Sequence, residues 1–126
     1  MRVNLNIIES EFKLIESWNL THKKKALIYY PKEKKELKVI LKYIRKNKKT
    51  FIIRTGSCSY DGKSIGVEKS NIVISLRNFN KLTEINKKNN TINVQAGAKI
   101  ADILLELKEK NFCMFAIPGG EHITIG

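Results

Sequence analysis

A chain of 126 residues, 42% apolar and 29% charged, suits one ordinary domain or one piece of a larger one, and its apolar share excludes wholesale disorder. The 24 Lys and Arg against 12 Asp and Glu give a formal charge of +12, which raises the question of nucleic acid. No apolar run approaches the roughly 18–20 residues of a bilayer crossing, and two Cys with two His make neither a disulfide scaffold nor a metal framework.

The N-terminus, MRVNLNIIESEF, turns acidic within a dozen residues and has no secretory hydrophobic segment. A cytoplasmic, reduced protein without a transmembrane segment is expected. Residues 1–20 are read as an N-terminal extension and 21–126 as the domain. ALIYY (26–30) is a short β-favouring run that Pro31 ends. In KEKKELKVILKYIRKN the residues Leu37, Ile40, Leu41 and Ile44 recur at helical spacing, with lysines on the outer face. Pro31 stands where a helix start tolerates it. FIIR (51–54) is a buried-type strand that breaks into TGSCSYDGKSIG, and NIVISL (71–76) is a third strand. Strand, helix and strand within about 30 residues form a βαβ unit. FNKLTEINKKNNTINVQAG then reads as strand, turn at Asn89-Asn90, and strand. Ile100, Ile103, Leu104 and Leu107 mark a second amphipathic helix over 98–110, before NFCMFAI and PGGEHITIG. A parallel unit followed by a partly antiparallel one predicts a mixed α/β or α+β fold.

The basic excess does not point to nucleic acid. Twenty of the 24 basic residues are Lys and four are Arg, whereas base-reading proteins lean on the planar fork of Arg. Lys, Asn and Ile together make 50 of the 126 residues, and all three have A/T-rich codons. Solvated lysines account for the charge, and a lysine-rich nucleic-acid module remains the alternative function.

RTGSCSYDGKS, directly after a strand, admits two chemical readings. Gly62-Lys63-Ser64 supplies the tail of a phosphate-binding P-loop, but the first glycine would have to stand at position 57, which is Ser. The residues after it, SIGVEKSN, show no helical period to aim N–H groups at a phosphate. Alternatively, the small side chains at Gly56, Ser57, Cys58 and Ser59 let backbone N–H groups approach a dinucleotide pyrophosphate, with hydroxyls as added donors. An ordinary strand-to-strand loop would look the same in composition.

The succession of segments adds to this. P-x-x-x-x-E-L is followed by R-x-G-x-x-S-Y-x-G, a strand ending I-S-L, T-I-N-V-Q-A-G, an amphipathic helix, and P-G-x-x-x-I-T-I-G. Over roughly residues 20–126 the chain resembles the FAD-binding (PCMH-type) domain of the vanillyl-alcohol oxidase and p-cresol methylhydroxylase flavoproteins. ESWNLTHKKKALIYYPKE, with Trp18 before the first strand, is most similar to the branch of decaprenylphosphoryl-ribose oxidases and sugar-lactone oxidases. The resemblance implies a small parallel βαβ subdomain followed by the start of a mixed or antiparallel second subdomain. It also implies FAD as cofactor, with the pyrophosphate wrapped by Arg54, Thr55, Gly56, Ser57, Cys58, Ser59, Tyr60, Asp61 and Gly62. Thr55 and Ser57 replace glycines usual in the family, which requires negative φ there for close backbone approach. Pro118, Gly119, Thr124, Ile125 and Gly126 correspond to the segment lying along the flavin and ribityl chain.

The implied activity is flavin-dependent oxidation of a sugar, lactone or polyol alcohol by hydride transfer. The small-molecule substrate and the base belong to a downstream domain, so no catalytic residue and no metal ligand is assigned. Some family members link FAD through a histidine at the position of Cys58, so non-covalent FAD is expected here. The family pattern continues past I-T-I-G, so the chain is read as an N-terminal fragment without turnover of its own. His122 reads as a solvated loop residue or a flavin contact, Cys113 as a buried small hydrophobe, and Gly97 as serving the turn into the second helix.

Overall fold

The computed structural model describes residues 5, 7–58, 65–66, 72–120 and 122–126. The elements run β1 (Ser10–Glu16), β2 (Lys23–Tyr29), α1 (Lys34–Lys46), β3 (Phe51–Arg54), β4 (Ile72–Ser75), β5 (Leu82–Asn86), β6 (Thr91–Val94) and α2 (Ile100–Glu109). The first four strands make one sheet in the order β1-β2-β4-β3, and β5-β6 make a separate hairpin. The fold is α+β: a parallel strand–helix–strand unit followed by an antiparallel hairpin and a helix.

The predicted βαβ unit is present, with one strand between its partners. β4 pairs in parallel with β2 (Leu27 opposite Ile72) and with β3 (Ile53 opposite Ile74). β2 and β3 are therefore second neighbours. β1, within the span read as an extension, pairs antiparallel with β2 over its whole length, from Ser10–Tyr29 to Glu16–Lys23. Its apolar residues are a poor signal, because Phe12 and Leu14 face solvent while Ile15 alone is buried. The other face of this strand carries Glu11 and Lys13.

Strand alternation divides the sheet into two faces. Tyr29, Ile72 and Ile74 pack with Ile40 and Ile44 of α1. Ala26, Ile28, Tyr30 and Val73 point the other way and pack with Ile15 and Ile65. Helix α1 presents its predicted stripe to the first face, with Leu41 at the exposed margin. Burying each such isoleucine contributes about 1.5–3 kcal/mol. The helix starts three residues after Pro31, so the proline lies outside it. Glu36 secures the start by accepting the N–H groups of Lys32 (2.6 Å) and Glu33 (3.3 Å).

The hairpin turns through Lys87–Asn90, with Asn90 at φ 51°, a conformation asparagine tolerates better than most residues. Helix α2 buries Ile100, Ile103 and Leu107 against Val94, Leu82 and Phe112. Asn111 at φ 59° follows it. Cys113, expected to be buried, is exposed, because Phe112 and Met114 take the inward positions on either side of it. Gly97 has a role beyond the turn before α2. A Cβ there would lie 1.8 Å from the carbonyl oxygen of Leu76, and the Gly97 N–H donates to the Phe79 carbonyl at 2.9 Å. Only glycine permits this approach of the second unit to the end of β4.

Candidate cofactor-binding cleft

The segment after β3 and the last residues of the chain meet. The Gly56 N–H donates to the Thr124 hydroxyl at 2.9 Å, and the Thr55 hydroxyl donates to the Gly126 carbonyl at 2.6 Å. A Cβ on Gly56 would stand 3.0 Å from Thr124 Oγ1, so the residue must be small for the two loops to close on each other. Residues 123–126 are held in turn by the lead-in to α2. Ile125 and Gly126 donate to the carbonyls of Ala98 (2.9 Å) and Ala96 (3.0 Å), and Ile100 donates to Ile123 (2.9 Å).

Beside this junction lies a cleft of about 790 Å³ at the carboxyl ends of β2, β3 and β4, where Tyr30, Arg54 and Ser75 stand. Ligand sites in open α/β sheets favour that end of parallel strands. The β1–β2 hairpin forms the opposite wall. Its turn is built on Ser17, 2% exposed, whose hydroxyl donates to the Asn19 carboxamide oxygen (2.8 Å) and accepts the His22 N–H (3.1 Å). Trp18, half exposed at the hairpin tip, stacks on His122 with ring centroids 5.6 Å apart. The histidine in the terminal segment thus has an aromatic partner within the chain.

Arg54 crosses the cleft. One terminal guanidinium nitrogen donates to the Glu16 carbonyl at 3.0 Å, and Nε donates to the Ser57 hydroxyl. Burial pushes its pKa down from the ordinary value, yet an arginine stays charged at any physiological pH. Arg77 lies over the Tyr30 ring at 3.9 Å and reaches Glu9 at 3.7 Å. The Tyr30 hydroxyl donates to Glu11, which also pairs with Lys13 at 2.6 Å. Together Lys13 and Tyr30 hold the Glu11 carboxyl below the usual carboxylate range.

Of the expected site residues, Arg54, Thr55, Gly56 and Ser57 line the cleft. Thr124 and Gly126 are bonded to that loop, and Ile125 is half exposed beside it. Cys58 is partly exposed, and its thiol donates to the Gly56 carbonyl at 3.4 Å. Pro118 and Gly119 are exposed and are not part of the cleft lining, and a Cβ on Gly119 would meet open space. Ser59, Tyr60, Asp61 and Gly62, with the P-loop tail at Lys63 and Ser64, lie outside the described residues. Ser57 occupies the left-handed region at φ 64°, the conformation a glycine would supply there, whereas Thr55 does not. Ser17, Trp18, Tyr30, Ser75 and Arg77 line the cleft without having been singled out for it. Ser75 carried a partial signal, since a serine ends an otherwise apolar strand, whereas its place opposite Arg54 is set by the pairing of β3 and β4.

The donor set fits a dinucleotide. The N–H groups of Ser57 and Cys58 have no acceptor among the described residues, and a guanidinium and a serine hydroxyl face the same space. No group of three or more His, Cys, Asp or Glu side chains able to hold a metal occurs among the described residues. No described helix is long and apolar enough to cross a membrane.

A parallel unit ending in a small-residue loop, clasped to a second loop beside a donor-lined cleft, defines a nucleotide-cofactor domain. Residues 25–126 match the FAD binding domain family, and the chain belongs to it. It is 29% identical over 103 residues to berberine bridge enzyme-like 18 of Arabidopsis thaliana, spanning 82% of this chain and 19% of that protein. Among solved structures it is similar to cholesterol oxidase from Brevibacterium sterolicum (TM-score 0.83, 16% identity, 96% of this chain and 24% of the oxidase). It is also similar to a berberine bridge enzyme variant in complex with (S)-reticuline (TM-score 0.60, 30% identity, 67% of this chain and 17% of the enzyme). The cholesterol oxidase likeness bears on the fold alone. The chain spans about a fifth of the curated relative's length.

Proposed function

We propose that residues 21–126 form the FAD-binding domain of a flavin-dependent oxidoreductase that oxidises a sugar, lactone or polyol alcohol. The observation that carries the cofactor reading is the junction of Thr55 and Gly56 with Thr124 and Gly126 beside the cleft. It brings together the two segments that the family resemblance assigns to pyrophosphate and flavin. FAD, when bound, supplies acceptance of a hydride from a C–H bond beside oxygen. This chain's own part is binding and orientation. The loop from Arg54 to Gly62 would hold the pyrophosphate through N–H groups and hydroxyls, and the segment from Pro118 to Gly126 would hold the flavin. The substrate and the base are assigned to a downstream domain, and no residue of this chain is given a catalytic role.

The sugar or lactone class rests on the sequence resemblance at ESWNLTHKKKALIYYPKE. The likeness to berberine bridge enzyme, whose solved complex holds (S)-reticuline, covers 67% of this chain and supports the cofactor rather than a choice of substrate. FAD is held non-covalently, because the linking histidine of some family members is replaced by Cys58. A cytoplasmic location rests on composition, with both cysteines free.

Flavin content tests the reading. The chain should retain FAD in preference to NAD, and acid denaturation followed by filtration should release all of the yellow colour. A folded chain with no measurable affinity for FAD would overturn the cofactor assignment, and colour retained on the denatured protein would overturn the non-covalent one.

A further inference from the structure

Composition explains how many lysines the chain carries but not where they stand. Residues 32–50 hold nine basic and two acidic residues, so seven of the twelve net positive charges fall on α1 and its flanks. Both acidic residues are engaged at the helix start, Glu36 with the N–H groups of Lys32 and Glu33, and Glu33 with Lys35 at 3.0 Å. At about 100° per residue, Lys34, Lys38, Lys42, Arg45 and Lys46 fall within roughly a third of the helix circumference, opposite the stripe of Leu37, Ile40 and Ile44. All five are exposed, and none has an ion-pair partner among the described residues. The four lysines follow one another at i, i+4, where like charges weaken a helix. The ridge therefore works against the stability of α1, and packing does not account for it.

A second observation concerns the apolar residues of the same face. Phe51 and Ile53, on the edge strand β3, stand in register with Ile72 and Ile74 and so share the side of the sheet that α1 covers. They are nevertheless 36% and 55% exposed. Leu41, between the basic ridge and the buried stripe of α1, is 37% exposed. One side of the molecule thus combines an unpaired cationic ridge with large apolar side chains open to water.

A lipid surface of negative charge suits both features. Its headgroups attract lysines, and apolar side chains gain by entering the boundary between headgroups and acyl chains. Nucleic acid suits them less, because the ridge has four Lys to one Arg and offers little of the bidentate grip that phosphate and base recognition favours.

We propose that α1 and the outer edge of β3 form a docking surface for an anionic lipid bilayer. The lysines from 34 to 46 run along about 18 Å of helix, enough to meet several headgroups at once. The cleft opens on the other side of the sheet, the side of Val73 and Ser75, so a chain resting on α1 keeps the cleft clear of the lipid. This surface does not rest on the cofactor reading.

Flotation of the 126-residue chain with vesicles tests the proposal. Mixed phosphatidylcholine–phosphatidylglycerol vesicles should carry the chain at low salt, whereas pure phosphatidylcholine vesicles should not, and high salt should release it. Lys38→Gln/Lys42→Gln/Lys46→Gln should weaken partitioning by about a hundredfold, at about fivefold per charge. These positions are exposed and the changes relieve like-charge repulsion, so the far-ultraviolet dichroism should be kept. Ile53→Ser should weaken partitioning by about threefold or more through lost apolar contact. Lys87→Gln/Lys88→Gln/Lys108→Gln takes the same charge from the hairpin turn and α2, and should change partitioning by less than about threefold. Absence of binding to anionic vesicles, insensitivity to Ile53→Ser, or equal losses in the two triple variants would overturn the proposal. A double-stranded oligonucleotide bound through the same lysines, by a chain that anionic vesicles do not carry, would overturn the bilayer as partner and assign the ridge to nucleic acid.

Discussion

Ile74 and Ser75 are neighbours in β4 and face opposite sides of one sheet. Ile74 is 0% exposed among Tyr29, Ile40 and Ile44, whereas Ser75, at 6%, looks into the cleft. Both are buried, but the first is buried by the chain's own side chains and the second beside space that the chain leaves open. The helix side of the sheet stabilises the fold. The other side starts apolar at Ala26 and Val73 and ends polar at Ser75 and Arg54, so one short strand separates packing from binding within a single residue.

The sharpest way to break this contrast is to truncate both residues. Ile74→Ala should cost about 2–5 kcal/mol, the range for a large aliphatic side chain lost from a tight core. Ser75→Ala should change stability by less than about 1 kcal/mol, because it removes a hydroxyl whose bond is unmade in the free protein. Urea denaturation of the two variants measures both. Equal losses would mean that the cleft face is packed as the helix face is.

A smaller effect is expected at the cleft wall. His122→Ala removes the stack on Trp18 and should cost about 0.5–1.5 kcal/mol, with Trp18 emission shifting to longer wavelength. The packing of Ile40 and Ile44 should be unmoved, as read from the protection of α1 amides against hydrogen exchange. Ser57→Gly works in the other direction. It relieves the left-handed strain at φ 64° but adds chain entropy to the unfolded state, so the net gain should be at most about 1 kcal/mol. A rise of a few degrees in the thermal midpoint would record it, and a fall would mean that the serine's bond from Arg54 outweighs the strain.

The smallest effect is electrostatic. Lys13 first and Tyr30 second hold the Glu11 carboxyl below its ordinary range in the folded state. A depressed carboxyl stabilises the fold at pH values above the unfolded pKa, and this contribution is lost as pH falls through the folded pKa. Glu11→Gln should therefore flatten the acid limb of the stability curve slightly and leave the neutral limb parallel to the original. The ion pair is well exposed, so added salt should shrink the difference further.

Particular residues show why parts of the molecule were legible in the sequence. The Leu37, Ile40, Ile44 stripe and the Ile100, Ile103, Leu107 stripe repeat at helical spacing, and both helices follow from burying them. The hairpin follows from Asn89-Asn90 between two alternating runs. β1 was hidden because its apolar Phe12 and Leu14 lie on the outer face while charged residues fill most of the inner one. The insertion of β4 between β2 and β3 is a matter of long-range pairing that local pattern does not encode. At the site, sequence order identified the two loops, since small residues there permit close approach. The stacking of Trp18 on His122 and the confrontation of Arg54 with Ser75 depend on how distant segments fold together, and no spacing in the chain announces them. Cys113 misled because an apolar neighbourhood in sequence, FCMFAI, is divided between inward and outward positions in space.

The junction between Gly56 and Thr124 ties residues 68 positions apart. Closing a flexible loop of that length costs about 3.7 kcal/mol in chain entropy beyond a constant, whereas each neutral hydrogen bond returns about 0.5–1.5 kcal/mol. The bonds at Gly56–Thr124 and Thr55–Gly126 therefore cannot assemble the junction by themselves. It closes only after the four-stranded sheet and α2 have fixed its two ends.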